Sequence, residues 1–483
     1  MKRKHSDIIL TQASSIIKVY FADILQSASE HCYSFRFNFI IIAEKKITKP
    51  GKKIKNTFLL FLQRLWITAN LYNRNKLMNH AAACAYGLLL SAAPALLFLS
   101  FVVSNALSAA PELVESLIGQ MGQVFGIFEI AELFNNFLNS AGSGLAGFIS
   151  IFTTIFAIRF CAISVQRGLG SVFPGHRSML RENAVTLGFG LFTMGILFIA
   201  LLWIRSVINL INLSGFRSFK IFTPLFSNFR ITLLISLALL TLAAYRFIPV
   251  KPPKIKYIIF GALVCIVFYR IFAIGFALLI NPERYNLLYG ALGRLFLFLV
   301  NVYFFFTFFL FGAQMIHVLD TSDALLFTNF RQVHSEGIKQ KTIFGRLFFM
   351  LPSPLKKYTA FFREGDPIYN LHSPGQEVYY ILSGKAGVYL DNDHRSKINT
   401  MDEMSFFGET PSADSDKPEG RTASIKAETD LSVLILPPGL FRVIQQIDPK
   451  TDRELVRILS ERLKSADDQI RVLKTNTRQN QQP

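Results

Sequence analysis

The chain has 483 residues, of which 51% are hydrophobic and 17% are charged, and its formal net charge at pH 7 is +19. Soluble domains carry about 25% charged residues, so this composition and the long apolar runs favour an integral membrane protein. The four cysteines form no CxxC pair and the eight histidines are scattered along the chain. These spacings indicate neither a disulfide framework nor a metal site, and we expect no cofactor.

The basic residues are distributed unevenly along the chain. Residues 1–80 carry fourteen Lys and Arg against four Asp and Glu, whereas residues 105–158 carry no Lys or Arg. This asymmetry matches the positive-inside pattern of membrane proteins, so we do not expect nucleic acid as a partner. Asp7, Gln12 and Lys18 interrupt the apolar start, which favours an amphipathic segment over a signal peptide. We therefore predict that residues 1–80 form a basic cytoplasmic region with interfacial helices.

Six apolar segments are each close to the roughly 20 residues that cross a bilayer as a helix. They lie at Ala81–Val103, Leu145–Val165, Asn183–Ile204, Ile231–Ile248, Tyr257–Ile280 and Tyr289–Ile316. The loops after the second and fourth segments are basic and the loop after the first is acidic. The sequence thus predicts an α-helical domain of six transmembrane helices over residues 81–318, with both termini in the cytoplasm.

Three polar residues inside these segments are candidates for a solute path. Arg270 lies in the middle of the fifth segment, and Asn301 and Gln314 lie in the sixth. Because polar and ionisable side chains are costly in hydrocarbon, their presence there favours a functional role. A path lined by these three residues would favour transport, whereas a sealed core packed with phenylalanine would favour a scaffold.

Three stretches of the predicted transmembrane region form a recognisable pattern: AAACAYGLLLSAAPALLFL, YRFIPVKPPKIKYIIFGALVCIVFYRIF and YNLLYGALGRLFLFLVNVYFFFTFFLFGAQ. On these stretches the region resembles the YihY/BrkB family of inner-membrane proteins. Gln314 stands where the family often has a glutamate. The resemblance implies a multi-pass protein of the inner membrane, with transport or export as the suspected activity. An older label of the family is a tRNA-processing ribonuclease, but no HxHxD run or other metal-ligand spacing supports a nuclease, and we predict no enzyme activity.

The character of the chain changes after Val318. Residues 319–357 are predicted to be a linker with helical pieces. Short alternating segments such as EVYYILSG and KAGVYL follow, punctuated by Gly and Pro, and they predict an antiparallel β jelly roll with flanking helices. We expect this domain to span residues 358–470, with a disordered tail over 471–483.

Four motifs follow one another in this C-terminal region: FREGDP, GQEVYYILSGKAGVY, FFGE and RTASIKAETDLSVLIL. In their order the region is similar to cyclic-nucleotide-binding domains. The resemblance implies that Arg421 and Thr422 bind a cyclic phosphate, and that Gly408 and Glu409 hold the ribose 2′-hydroxyl. An arginine suits a phosphate because its planar group donates two parallel hydrogen bonds. The ligand would be cAMP or cGMP, acting as a regulator.

The loop between Glu409 and Arg421 departs from the family. It reads TPSADSDKPEG, is two or three residues longer than usual, and lacks the apolar residues that seat the cassette helix. Two interpretations therefore stay open for this domain: it binds a nucleotide, or it keeps the fold and docks a protein partner.

The corresponding functional hypotheses are a transporter of a small or lipid-like solute under nucleotide control, and a membrane scaffold that does not transport. The bilayer is an expected partner in both cases, and homo-oligomer formation is left open.

Overall fold

The computed structural model describes residues 50–106, 159–190 with short gaps, 229–338 except 280–281, 342–409, 420–449 and a few positions up to 464. These residues fall into two compact units, one of residues 64–320 and one of residues 321 onward together with 50–63. Each unit is described below by itself.

Long helices make up the unit of residues 64–320. They are α1 (Pro50–Arg74, whose later part belongs here), α2 (Leu77–Ala106), α3 (Phe229–Phe247), α4 (Ile255–Leu279) and α5 (Pro282–Asp320). Residues 159–172 and 181–188 are also helical. Helix α5 packs against α2 and α4, and α4 packs against α3.

Helices α4 and α5 approach each other closely at two glycines. A Cβ atom on Gly312 would lie 2.6 Å from the carbonyl oxygen of Gly261 and 2.7 Å from the hydroxyl oxygen of Tyr245. That hydroxyl, from α3, donates a hydrogen bond of 2.6 Å to the carbonyl oxygen of Phe309 on α5. Small residues at a helix crossing let two backbones meet, which is how membrane helices gain packing energy without a hydrophobic driving force.

Aromatic rings fill the rest of the interface between α4 and α5. Phe272 stacks on Phe304 with ring centroids 4.1 Å apart. Tyr269 meets Phe305 edge to face at 5.5 Å. Both geometries are favourable for aromatic pairs, so this interface is a well-packed apolar contact.

The outer face of α4 carries an exposed apolar stripe. Its members recur every three or four residues: Ile259, Leu263, Val267, Ile271, Ile274 and Leu278. Within the described residues, two helical stretches are long and apolar enough to cross a membrane, Ile255–Leu279 and Leu295–Asp320. Only 11% of the most apolar window of the first is buried, unlike the core helix of a soluble protein.

Four of the six predicted crossings coincide with described helices, namely α2, α3, α4 and α5. Large parts of the second and third predicted crossings lie outside the described residues. The count of six transmembrane helices therefore stays a prediction.

The C-terminal half of α1 has one face buried in protein. Ile67, Thr68, Leu71 and Tyr72 are buried on it. The hydroxyl of Thr68 contacts the sulfur of Met315 at 3.1 Å, and that of Tyr72 donates to the carbonyl oxygen of Thr307 at 3.3 Å. This part of the predicted interfacial helix is thus anchored to α5.

The other unit combines short helices with eight strands. The helices are α6 (Ser322–Ser335), α7 (Ile343–Phe348), a 3-10 turn (Ser353–Tyr358) and α8 (Pro438–Ile447). The strands are β1 (Thr359–Phe362), β2 (Pro367–Tyr369), β3 (Val378–Ser383), β4 (Ala386–Tyr389), β5 (Lys397–Met401), β6 (Phe406–Phe407), β7 (Ser424–Ala427) and β8 (Leu431–Leu436).

These strands form two four-stranded antiparallel sheets, in the orders β1-β8-β3-β6 and β2-β7-β4-β5. Inward-facing residues of both sheets form one core, which includes Ile381, Phe407, Ile425 and Val433. The predicted antiparallel β domain with flanking helices is confirmed.

Helices cover the outer face of the first sheet, which explains why every residue of β3 is buried. The ring of Phe327 on α6 meets Tyr380 at 5.2 Å, and Phe406 meets Phe441 of α8 at 6.0 Å. Arg331 of α6 forms a buried ion pair of 2.8 Å with Asp448, the residue after α8. Because both faces of β3 are covered, its sequence VYYILS is a continuous apolar run.

We expect Gly312→Ala to destabilise the helical unit, because its methyl group would strike the Gly261 carbonyl and the Tyr245 hydroxyl. Overpacking of this kind costs about 1–3 kcal/mol. The measurement is the temperature at which purified protein in detergent loses its monodisperse peak in size-exclusion chromatography.

Gly275→Ala on α4 is the matched control, since a Cβ there meets nothing within 4 Å. It should leave this temperature unchanged or raise it, because alanine is the better helix former. If both variants lowered this temperature by the same amount, the close crossing of the two helices would be contradicted.

Candidate functional site

The four residues predicted to bind a nucleotide lie at one end of the β domain. Gly408 and Glu409 follow β6, and Arg421 and Thr422 precede β7. Backbone hydrogen bonds fix Arg421 in place: its N–H donates to Ser373 at 3.1 Å and its carbonyl accepts from His372 at 2.8 Å. The loop of residues 410–419, which holds the predicted cassette, lies outside the described residues.

The guanidinium of Arg421 is buried and hydrogen-bonded. The residue is 2% exposed. Its Nη1 donates to the carbonyl oxygen of Gly408 at 2.8 Å, and its Nη2 donates to the carbonyl oxygen of Glu377 at 3.1 Å. Nη2 also forms an ion pair of 3.2 Å with the Glu377 carboxylate, whose side chain is 45% exposed. Arg421 therefore ties the end of β6 to the approach to β3.

Two tyrosine rings flank the same guanidinium. Its Cζ lies 4.4 Å from the ring centroid of Tyr369 and 5.6 Å from that of Tyr379. Burial raises the pKa of Tyr379, although the charge of Arg421 acts in the opposite direction. Tyr379 is therefore neutral at physiological pH and offers Arg421 the face of a neutral ring.

Two glycines make room for the side chain of Arg421, because they have no side chains of their own. Gly408 has φ +77°, and a Cβ on it would lie 2.7 Å from Nη1 of Arg421. A Cβ on Gly375 would lie 2.9 Å from Nη2 of Arg421 and 2.9 Å from the Glu377 carboxylate. Only a residue without a side chain fits at Gly408, since both the backbone conformation and the space require it.

The two remaining predicted residues differ in exposure. Glu409 is 4% exposed, and it follows the peptide that accepts from Arg421. Thr422 is exposed. The structure thus brings Gly408 and Arg421 into direct contact, with Glu409 beside them, and places Thr422 at the surface next to them.

The hydrogen bonds of Arg421 define what the site can do with an anion. Within the described residues its Nε makes no hydrogen bond, while Nη2 contacts the Glu377 carboxylate. One edge of a guanidinium, Nε with one terminal nitrogen, can hold two oxygens of a phosphate. A phosphate at that edge would replace the carboxylate of Glu377, so the residues fit a cyclic phosphate once Glu377 turns outward.

The three predicted intramembrane residues differ in burial. Arg270 is exposed on α4, Asn301 is half-buried on α5, and Gln314 is fully buried. Positions 301 and 314 are about 140° apart around the helix, so they point to different sides of α5. Gln314 accepts a hydrogen bond of 3.3 Å from Asn75, whose amide also donates to Ser171 at 3.4 Å.

Sequence reasoning assigned no role to Glu377, Tyr369 or Tyr379, all of which contact Arg421. Glu377 and Tyr379 lie in the motif GQEVYYILSG, which supports the family resemblance but does not indicate a role for either residue. A carboxylate just before a buried strand, with a buried arginine predicted elsewhere in the same domain, is the signal that could have identified Glu377.

Comparisons with known proteins agree with this description. The sequence profile of the family "Virulence factor BrkB" matches residues 68–328, which is more than half of the chain. The profile "Cyclic nucleotide-binding domain" matches residues 359–448. No curated protein matches this chain.

Several solved structures are similar to the C-terminal region. A transcriptional regulator from Thermotoga maritima is 14% identical over 24% of this chain and 91% of its own, with a TM-score of 0.22. The Catabolite Activator Protein of Thermus thermophilus is 24% identical over 24% of this chain and 54% of its own, with a TM-score of 0.22. The cAMP-bound form of the EAL enzyme Bd1971 is 26% identical over 26% of this chain and 33% of its own, with a TM-score of 0.18.

Apolar helices followed by a two-sheet β domain with a buried arginine define a membrane protein with a cyclic nucleotide-binding domain. Within that class, the chain belongs to the Virulence factor BrkB family.

We expect Gly408→Ala to displace Arg421 and to destabilise the β domain. The new Cβ would strike Nη1 of Arg421, and the left-handed φ costs a further 1–2 kcal/mol or so in any residue with a side chain. The measurement is the temperature at which the β domain of the full-length protein becomes sensitive to limited proteolysis.

Gly365→Ala is the control, because Gly365 has φ +90° and a Cβ added to it would meet nothing within 4 Å. It carries the backbone cost alone, so the difference between the two variants measures the contact with Arg421. A difference of zero would mean that Gly408 does not shape the arginine site.

Proposed function

We propose that the β domain binds a cyclic nucleotide through Arg421 and Glu409, and that this binding controls the membrane domain. The observation that carries the proposal is the buried guanidinium of Arg421, held against the peptide that leads into Glu409. A cyclic phosphate carries one negative charge, and a buried arginine stabilises such a charge far better than an exposed one. The match of residues 359–448 to the cyclic nucleotide-binding domain profile supports the same proposal.

Each predicted residue has a role in this proposal. Arg421 binds the phosphate, with the hydroxyl of Thr422 as a further donor at the surface. Glu409 accepts a hydrogen bond from the ribose 2′-hydroxyl. Gly408 lets the backbone approach closely, because no side chain separates Glu409 from Arg421.

Glu377 sets the strength of binding in this proposal. Its carboxylate forms an ion pair with Nη2 of Arg421. An incoming phosphate must therefore displace this carboxylate before it can bind Nη2. The exchange is feasible because the Glu377 side chain is 45% exposed and can be solvated when it turns outward.

The first test is isothermal titration of cAMP and of cGMP into the full-length protein in detergent. Arg421→Lys should weaken binding at least about tenfold, because lysine loses the two-pronged geometry. Glu377→Gln should strengthen binding several-fold, because the competing charge is gone while the side chain keeps its size. Arg363→Lys, at an exposed arginine of the same domain, is the matched control and should bind as the natural chain does.

Thermal unfolding of each variant separates folding from binding. Glu409→Gln should also weaken binding, because an amide accepts the ribose hydroxyl less strongly than a carboxylate does. A folded natural chain that gives no heat with either nucleotide would refute the proposal. Unchanged affinity in both Arg421→Lys and Glu377→Gln would place the ligand elsewhere.

For the membrane domain we propose transport of a small or lipid-like solute. Six membrane crossings with both termini in the cytoplasm would place the β domain on the cytoplasmic side, as the loop charges predict. Nucleotide binding would act through residues 319–357, which join the last predicted crossing to β1. The nucleotide can shift the membrane domain between two conformations only if it binds one of them more tightly. By the same linkage, a solute that favours one conformation must change the affinity for the nucleotide.

A second candidate is a scaffold that does not transport, and one observation favours it. Packed aromatic rings fill the described interface between α4 and α5, and Asn301 and Gln314 lie on different sides of α5. Under this hypothesis the β domain docks a protein partner, and the polar loop over residues 410–419 serves as a contact surface.

Reconstituted vesicles distinguish the two candidates. Light scattering would follow the entry of small neutral and charged osmolytes, and bleaching of a fluorescent phospholipid would follow lipid movement across the bilayer. Transport predicts a flux above empty vesicles that changes when cAMP or cGMP is added, and that Arg421→Lys no longer regulates. A scaffold predicts no flux of any probe, with or without nucleotide.

A further inference from the structure

Arg270 lies in the exposed apolar stripe of α4. It follows Val267 by three residues and precedes Ile274 by four, and all three side chains are exposed. Helix α4 runs from Ile255 to Leu279, so Arg270 is about 22 Å along the axis from the first residue and about 14 Å from the last. With the helix centred in a hydrocarbon layer of roughly 30 Å, the Cα atom of Arg270 would lie about 10 Å inside that layer.

The direction of the helix makes it difficult for this side chain to reach water. Side chains of an α-helix lean toward its N-terminal end. For Arg270 this direction leads away from the nearer membrane surface, which is at Leu279. A charge inside the hydrocarbon is costly, so Arg270 is stabilised by any anion that can meet it there.

The described part of the chain does not supply this anion. Among the described residues, Arg270 makes no hydrogen bond and no ion pair. Helices α2 to α5 contain two acidic residues, Glu283 and Asp320, and both stand at the ends of the 39-residue helix α5. The partner of Arg270 must therefore come from outside the described residues.

A phospholipid fits this surface better than a second copy of the chain does. Its acyl chains suit the aliphatic side chains of the stripe, and its phosphate offers two oxygens to the planar guanidinium. A symmetric contact of two copies through the stripe would instead bring two Arg270 side chains toward each other, and their charges would repel. A lipid with a net negative charge is attracted more strongly than a zwitterionic one.

We propose that Arg270 binds the phosphate of an anionic phospholipid from the leaflet at the Leu279 end of α4, and that it draws this headgroup below the membrane surface. The loop charges predict that this is the outer leaflet. Local thinning of the bilayer is one way in which a membrane accommodates an arginine on a lipid-facing helix. The proposal goes beyond the proposed function and does not depend on it, because a lipid can bind here whether or not a nucleotide binds or a solute crosses.

The test is photo-cross-linking of the full-length protein in phosphatidylcholine vesicles. A small share of the lipid is phosphatidylglycerol with a diazirine on its headgroup, and mass spectrometry maps the cross-linked residues. We expect cross-links within residues 263–274, in addition to those at the exposed basic loop of residues 251–256. Arg270→Gln should reduce the cross-links at 263–274 at least about fivefold, because the charge that holds the headgroup at this depth is gone. The cross-links at 251–256 should not change, so they serve as the internal reference.

Three controls accompany this test. Arg246→Gln removes an exposed arginine from the last turn of α3 and should leave the cross-links at 263–274 unchanged. Phosphatidylcholine with the same diazirine should label residues 263–274 at least about threefold less than phosphatidylglycerol does, because it carries no net charge. Arg270→Leu should also lose the label while remaining at least as stable in detergent as the natural chain, since it removes a charge from an apolar face.

Absence of label at residues 263–274 in the natural chain would overturn the proposal, whether water, a second copy or another part of the chain meets Arg270. Equal labelling of these residues in Arg270→Gln, or by both lipids, would overturn it as well. Loss of the label on addition of excess inorganic phosphate would mean that Arg270 binds a soluble anion, which also overturns it. Nucleotide titration of the same variants keeps this result separate from that of the proposed function.

Discussion

The buried guanidinium of Arg421 holds the two sheets of the β domain together at one end. It precedes β7 and lies against Tyr369 of β2, both in one sheet, and it hydrogen-bonds to Gly408 and Glu377 beside strands of the other. An arginine with so little exposure is costly unless its charge is paired, and here the carboxylate of Glu377 pairs it. The same contacts must therefore be made by protein groups before a ligand arrives, and any ligand exchanges for one of them.

The helical unit uses a different set of interactions, suited to lipid. Burial of apolar surface gives little advantage there, because lipid tails are as apolar as the side chains. The unit instead brings backbones together at Gly261 and Gly312 and stacks rings along α4 and α5. Tyr245 donates its one hydroxyl to a carbonyl of α5, so the packing of these helices is fixed in register as well as in distance.

Much of this architecture could be predicted from sequence, because its signals are local. Hydropathy located α2 to α5, and alternating segments with Gly and Pro located the β domain. The region predicted to be a linker holds α6, whose buried face of Leu325, Phe327 and Phe330 packs on the β domain. The sequence offered Glu377 as a candidate partner, but its contact with Arg421 could not be predicted, because the packing of the two sheets brings together residues 44 positions apart. Hydropathy does not show which side of a helix a polar residue is on, and helical rotation places Asn301 and Gln314 on different sides of α5.

The packing role of Arg421, beside its proposed role in binding phosphate, has a consequence for how the domain evolves. In a lineage whose β domain no longer meets a nucleotide, selection for a folded domain would still retain Arg421, Gly408 and the tyrosine rings. Thr422 is exposed, so selection for packing would not hold it in the same way. A group of relatives in which the arginine is constant while the residue at the position of Thr422 varies would therefore be a group that has lost the ligand.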